Sequence, residues 1–153
     1  MKNFKFYFTL ATILTAGFVQ NLKACDMRDF IEKTFQDVIE NMEADEEIIS
    51  KYFSSDYIQY VDGHVLDYSD FVKHMKKQKT LINSAKVTID RCIVEKNKIC
   101  TVHRVDINKK NDENISVKVI AYFEIENEKI ILCDELTKLL QGSKEDHDIG
   151  STK

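Results

Sequence analysis

His103 and Glu135 are the positions at which a titratable side chain interrupts a run that otherwise reads as apolar strand. His103 lies within KICTVHRVDI and shares a face with Thr101 and Val105 by the two-residue period of a strand. An imidazole in a half-apolar setting titrates near neutral pH, which general acid-base chemistry requires. The competing assignment is a structural histidine with a satisfied hydrogen bond, or one turned to solvent. Glu135 shares a face with Ile131, Cys133, Thr137 and Leu139. Desolvation among such neighbours raises a carboxyl's pKa and makes it a base or a ligand anchor. An ion pair with Arg91 or Arg104 would account for the same acid without function. These two are the candidate catalytic residues.

Tyr57, Tyr60 and Tyr122 can offer hydroxyls to a cavity, while Phe71, His74 and Met75 recur on one stripe of a helix, so these six are the candidate ligand-binding residues. Each also fits as a core residue with a satisfied polar end. His64, His74, His103 and His147 lack the spacing that sets two ligands on one helix or hairpin, so no metal and no cofactor are expected. Nucleophilic triads and phosphate loops are absent. Asp62 is accounted for by turn chemistry.

What must position these residues is the stretch Ala85 to Leu140. It holds four apolar runs, with short polar breaks at Lys96-Asn97-Lys98, Lys109 to Glu113 and Asn127-Glu128. Breaks this short force an antiparallel meander, because a parallel crossover needs a dozen or more residues. In the third run Ile115, Val117, Val119, Ala121, Phe123 and Ile125 form a dry face, and Ser116, Lys118, Ile120, Tyr122 and Glu124 a mixed one. A two-residue turn at Asn97-Lys98 sets His103 opposite Cys92. It also puts Cys92 and Cys100 on opposite faces, so these two are not expected to bond. Without C-x-x-C spacing, the cysteines read as small buried hydrophobes.

Upstream, Met27, Phe30, Ile31, Thr34, Val38, Ile39 and Met42 give an apolar stripe to a helix over 26–42. A second helix is expected over 44–52, led by Asp45, Glu46 and Glu47. Asp62-Gly63 marks a small hairpin between Tyr57–Val61 and His64–Leu66. Asp67 caps a third helix running to about Ile82, its inner stripe including Phe71, His74, Met75 and Gln78. The plan is α+β, helices covering one face of a curved antiparallel sheet, with a pocket at the open end of the cone.

These elements, with Tyr60-Val61-Asp62-Gly63 feeding Asp67-Tyr68-Ser69-Asp70-Phe71 and the terminal Lys129 to Thr137, resemble the SnoaL-like branch of the nuclear transport factor 2-like superfamily over about Met27 to Gly150. The resemblance implies a cone-shaped fold, a small-molecule pocket and a homodimer. It leaves activity open between isomerases, cyclases, dehydratases and non-catalytic members. The ketosteroid isomerases of this superfamily place an oxyanion-binding tyrosine on the first helix. This chain has Phe30 and Phe35 there, which counts against a steroid-isomerase mechanism.

The 153 residues, 43% hydrophobic and 31% charged with no proline, suit one domain without a linker. Residues 1–24 have a positive start, an apolar run from Phe6 to Val19 and a small residue at Ala24, the layout of a secretory signal peptide. The domain then occupies 25–153, with a polar tail from about 141. Leu22-Lys23-Ala24-Cys25 resembles a lipobox, so a membrane partner is expected only if Cys25 is lipidated; otherwise the product is periplasmic or secreted. Loss of Lys2, Lys5 and Lys23 leaves 19 basic against 26 acidic residues, which argues against nucleic acid. The expected partners are a small apolar molecule and a second copy of the chain.

Overall fold

The computed structural model describes residues 24–143. The expected signal segment up to Lys23 and the polar tail from Lys144, including His147, lie outside the described residues. Three helices precede and interrupt a six-stranded sheet: α1 (Ala24–Thr34), extended by a π-helical turn (Phe35–Glu40), α2 (Glu46–Tyr52), β1 (Phe53–Val61), β2 (His64–Asp67), α3 (Tyr68–Leu81), β3 (Ile82–Glu95), β4 (Lys98–Lys109), β5 (Asn114–Glu126) and β6 (Lys129–Gln141). The sheet order is β2-β1-β6-β5-β4-β3. The helices cover one face of the sheet.

Local chemistry accounts for the boundaries. The Asp45 and Asp67 side chains accept from Ile48 N and Asp70 N and start α2 and α3. Asp62 and Gly63 both take positive φ, 49° and 85°, as do Asn127 and Glu128, at 50° and 59°. These are the conformations a two-residue hairpin demands, so β1–β2 and β5–β6 turn tightly. The dry row on β5 is buried throughout: Ile115, Val117, Val119, Ala121, Phe123 and Ile125 are all 5% exposed or less. Met27, Ile31 and Val38 of the first helix pack into the same core.

Three features differ from the sequence expectation. First, β1 does not stand apart with β2 as a small hairpin. It runs parallel to β6, with Gln59 opposite Cys133 and Val61 opposite Glu135, so the sheet is antiparallel except at this pairing. The intervening α3 and meander supply the long connection that a parallel pair needs. Second, the β3–β4 turn lies at Lys96-Asn97, with Glu95 opposite Lys98, and the register slips between Ile89 and Arg91. His103 therefore faces Ile89, and Cys92 faces Thr101. A bulge adds one residue, Asp90, and such insertions bend a strand. Cys92 and Cys100 still fall on opposite faces, and Cys92, Cys100 and Cys133 are free thiols. Third, the first helix ends in a π turn, a form that concentrates at functional sites. That turn buries Phe35 and brings Glu40 onto the edge strand β3.

Glu40 fixes the helical layer to the sheet. Its Oε1 accepts from Val87 N at 2.8 Å and its Oε2 from Lys86 Nζ at 2.9 Å. Val87 N–H is an edge-strand donor with its side chain in the core, so its loss is not made good locally. Replacing Glu40 by Ala is expected to lower unfolding free energy by roughly 1.5–3 kcal/mol, the range for a hydrogen bond to a charged group. Urea denaturation at neutral pH measures this, and a change below about 0.5 kcal/mol would show the contact to be incidental.

Candidate functional site

A cavity of about 130 Å³ lies between the helices and the inner sheet face. Its walls are mostly apolar. At one part of the wall Phe53, Tyr57 and Phe71 form an aromatic cluster, with ring centroids 4.8, 4.7 and 5.1 Å apart. Tyr57, Phe71, His74 and Met75, four of the six residues expected to bind a ligand, line the cavity. Tyr60 and Tyr122 do not. Tyr60 lies three positions from Tyr57 on a strand, so the two cannot share a face, and Tyr60 is 44% exposed. Tyr122 sits on the mixed face of β5, where its hydroxyl bonds Glu124 and Lys98 approaches its ring.

His103 and Glu135 both line this cavity. The ladders put His103, Val119 and Thr137 in one row and Thr101, Ala121 and Glu135 in the next but one. Two strand spacings and two residues separate the pair, about 11–12 Å between Cα atoms. They flank a common volume without touching.

His103 is 4% exposed. Its Nδ1 is 3.0 Å from Thr101 Oγ1, and the Phe35 ring lies 4.9 Å from the imidazole, centroid to centroid. Burial pulls its pKa down from 6.5 to about 4, against a smaller opposing pull from the bulged Asp90. At neutral pH the ring is uncharged and offers one donor and one acceptor.

Glu135 sits at the other end of the cavity. Gln59 Nε2 donates to its Oε1 at 2.8 Å and Cys133 Sγ approaches its Oε2 at 3.7 Å. The alternative, an ion pair with Arg91 or Arg104, does not form: Arg104 pairs with Asp106 at 2.9 Å, and no described cation pairs with Glu135. Desolvation raises the carboxyl from 4.5 to about 7, and the charges of Asp62 and Asp134 push the same way, while Gln59 and Cys133 oppose. The residue keeps some accessible surface, as a cavity-wall residue does. Next to it, burial holds the Tyr57 phenol and the Cys133 thiol well above their ordinary values. Cys133 is thus a neutral wall group.

The hairpin tip also takes part. Asp62 N donates to Glu135 O at 3.2 Å, and Asp62 Oδ1 accepts from Thr137 N at 2.8 Å, with Thr137 Oγ1 also bonded to Asp62. Turn chemistry alone does not account for Asp62, since its carboxylate pins the hairpin to β6 beside Glu135. Gln59, Phe35 and Lys79 were not singled out from the sequence. Strand parity carried a signal for Gln59, which shares a face with Tyr57. Phe35 depends on the helix-to-sheet docking. Lys79 lines the cavity with its Nζ given to Asn41 O and Ala44 O, at 2.7 and 2.9 Å.

The comparisons agree with this architecture. The chain is 30% identical over 128 residues to the uncharacterized protein C11D3.04c of Schizosaccharomyces pombe, spanning 84% of this chain and 98% of that one. No sequence-family profile matches it. TsrD from Streptomyces laurentii superposes with a TM-score of 0.65 at 12% identity, covering 86% of this chain and 99% of that one. A candidate SnoaL-like polyketide cyclase from Shewanella denitrificans gives 0.62 at 8% identity, covering 72% and 89%. A protein from Catenulispora acidiphila with a ketosteroid isomerase-like fold gives 0.59 at 10%, covering 70% and 83%. The chain belongs to one family with that Schizosaccharomyces pombe protein, and its fold is that of SnoaL-like and ketosteroid isomerase-like proteins. At these identities the solved structures show the fold alone, and the chemistry of this chain rests on its own residues.

The two buried groups have opposite effects on stability with pH. His103, with its depressed pKa, contributes stability that is complete above pH 6.5 and is lost as pH falls toward 4. Glu135, with its raised pKa, contributes stability that is complete below pH 4.5 and is lost as pH rises through about 7. Each spans about 3 kcal/mol, and in the shared window they offset each other. Glu135→Gln should therefore expose a stability that rises from pH 4 to 6.5, and His103→Gln one that falls from pH 4.5 to 7. Denaturant titrations of both variants across this range test the assignment, and parallel slopes would refute it.

Proposed function

We propose that this SnoaL-like chain binds a small, largely apolar molecule in the cavity between the helices and the inner sheet face. The observation that supports this most is Glu135, a carboxyl set in an apolar wall with a glutamine and a thiol for partners and no cation. Such a group costs stability at neutral pH, and a ligand that uses it supplies the compensating interaction. Apolar burial then provides affinity and the polar end orientation.

A second reading is acid-base catalysis of isomerisation, cyclisation or dehydration. It is favoured by the pairing of a carboxyl with a pKa of about 7 and a neutral imidazole around one cavity. In this reading Glu135 takes a proton from substrate carbon or hydroxyl, and neutral His103 donates to or accepts from the far end. Fold neighbours that are candidate polyketide cyclases, the Shewanella protein and IdmH from Streptomyces antibioticus, keep this class of reaction in view.

Replacing either residue by Ala should weaken binding of a cavity ligand by roughly 1–3 kcal/mol, the cost of an unpaired buried group. Unaltered affinity in the folded fraction of both variants would remove them from the site. If Glu135 is a base, the limiting rate should rise with pH through about 7 and Glu135→Gln should abolish that dependence. A rate that falls over the same range makes it an acid instead.

The outer sheet face supports a further proposal, self-association. Ile93, Ile120 and Leu136 are 75%, 54% and 66% exposed there, and Ile120 and Leu136 are cross-strand partners. Sedimentation at micromolar concentration should give a dimer, with Ile120→Lys shifting it to monomer. A wild-type monomer would end this proposal.

Residues 1–24 are proposed as an export signal, on the charge and apolar pattern of the sequence alone. Intact mass of material from the envelope or medium should correspond to a chain starting near Cys25, with a lipid increment if that cysteine anchors it. A full-length cytoplasmic product would contradict export.

A further inference from the structure

The polar end of the cavity has a one-sided hydrogen-bonding character. Gln59 is 7% exposed and its Nε2 is spent on Glu135, while its Oε1 has no partner among the described residues. With Glu135 ionised the amide cannot be turned round, because that would set two acceptor oxygens against each other. Glu135 Oε2 receives only the distant Cys133 thiol, a weak donor. The Asp62 carboxylate beyond it is occupied by Thr137. The unsatisfied hydrogen-bonding capacity of the Gln59–Glu135 pair is therefore acceptor capacity.

The charged and titratable groups around this end come from each packed element: Asp134 and Cys133 on β6, Tyr57 on β1, and Asp62 in the β1–β2 turn. His103 on β4 and His74 and Lys79 on α3 line other parts of the cavity wall. The Lys79 ammonium is directed to the carbonyls of Asn41 and Ala44. An anion placed at Gln59 would meet carboxylates without a countercharge. A lone acceptor such as an ether oxygen would face the oxygens of Gln59 and Glu135 and gain no donor from that pair.

We propose that the cavity selects compact apolar molecules bearing a hydrogen-bond donor, a hydroxyl or N–H, which is received by Gln59 Oε1 and the Glu135 carboxylate, and that it rejects acceptor-only analogues and carboxylates. The inference rests on the small-molecule reading and adds the class of ligand to it. A phenol is the simplest member of that class. Its ring suits a volume comparable to cavities of about 150 Å³ that take benzene, and its hydroxyl supplies the missing donor.

Isothermal titration at pH 8.5, where Glu135 is ionised and a phenol is still protonated, tests the proposal with 4-ethylphenol, 4-ethylanisole and 4-ethylbenzoate. The phenol should bind at least about tenfold more tightly than the anisole, a factor equivalent to about 1.4 kcal/mol, and the benzoate most weakly. Gln59→Met, which keeps the length and removes one of the two acceptors, should narrow the phenol's advantage over the anisole by at least about threefold, and an unchanged advantage would overturn the role of Gln59. Equal phenol and anisole affinities in the wild-type protein would overturn donor selection and leave the cavity reading standing. Preference for the benzoate would overturn it as well. Binding of none of the three, with the wild-type melting transition intact, would overturn the cavity reading and this inference with it.

Discussion

Burial of the inner row of β5 is the constraint on which the remaining structure depends. Six apolar side chains alternate along one face of the central part of the sheet, all nearly inaccessible to solvent. At about 25 cal/mol per Å² of apolar surface, exposing that row would cost more than a small domain's net stability. The helices must therefore lie on this face. Met27, Ile31 and Val38 fill one end of the space, and Phe71, Val72 and Met75 another. Three helices on a sheet bent by bulges in β3 and β6 leave a gap between them, and the gap is the cavity.

Within that dry space two titratable groups respond to the same desolvation in opposite directions. Burial disfavours the charged form of each, so the imidazole loses proton affinity and the carboxyl gains it. Both are thereby biased toward neutrality without any contact between them. The parallel β1–β6 pairing adds the remaining specificity, because it brings Gln59 against Glu135 and the Asp62 turn against Thr137. Without that pairing the acid would face only apolar neighbours and a thiol.

The fold relatives illustrate how little of this is carried by architecture. Neighbours at about a tenth sequence identity share the cone, yet their side chains inside it are free to differ. In this chain the first helix presents Phe35 to His103 and the inner face of β1 presents Gln59, and these residues set the polarity of the interior.

The sequence by itself determined the element order, the meander, the buried row of β5, the β1–β2 and β5–β6 turns and the cap of α3, because periodicity and turn chemistry are local properties. It also placed His103 and Glu135 on apolar strand faces, and it marked Phe71, His74 and Met75 as one helical stripe. Strand parity was available to separate Tyr57 from Tyr60 and to pair Tyr57 with Gln59. Only the tertiary structure decided that β1 lies parallel to β6, that Asp90 shifts the register so His103 faces Ile89, and that a π turn lays Phe35 over the imidazole. It also decided that Glu135 meets Gln59 and not an arginine. Those outcomes join residues up to 77 positions apart, and such contacts arise from how whole elements dock rather than from the pattern within any one of them.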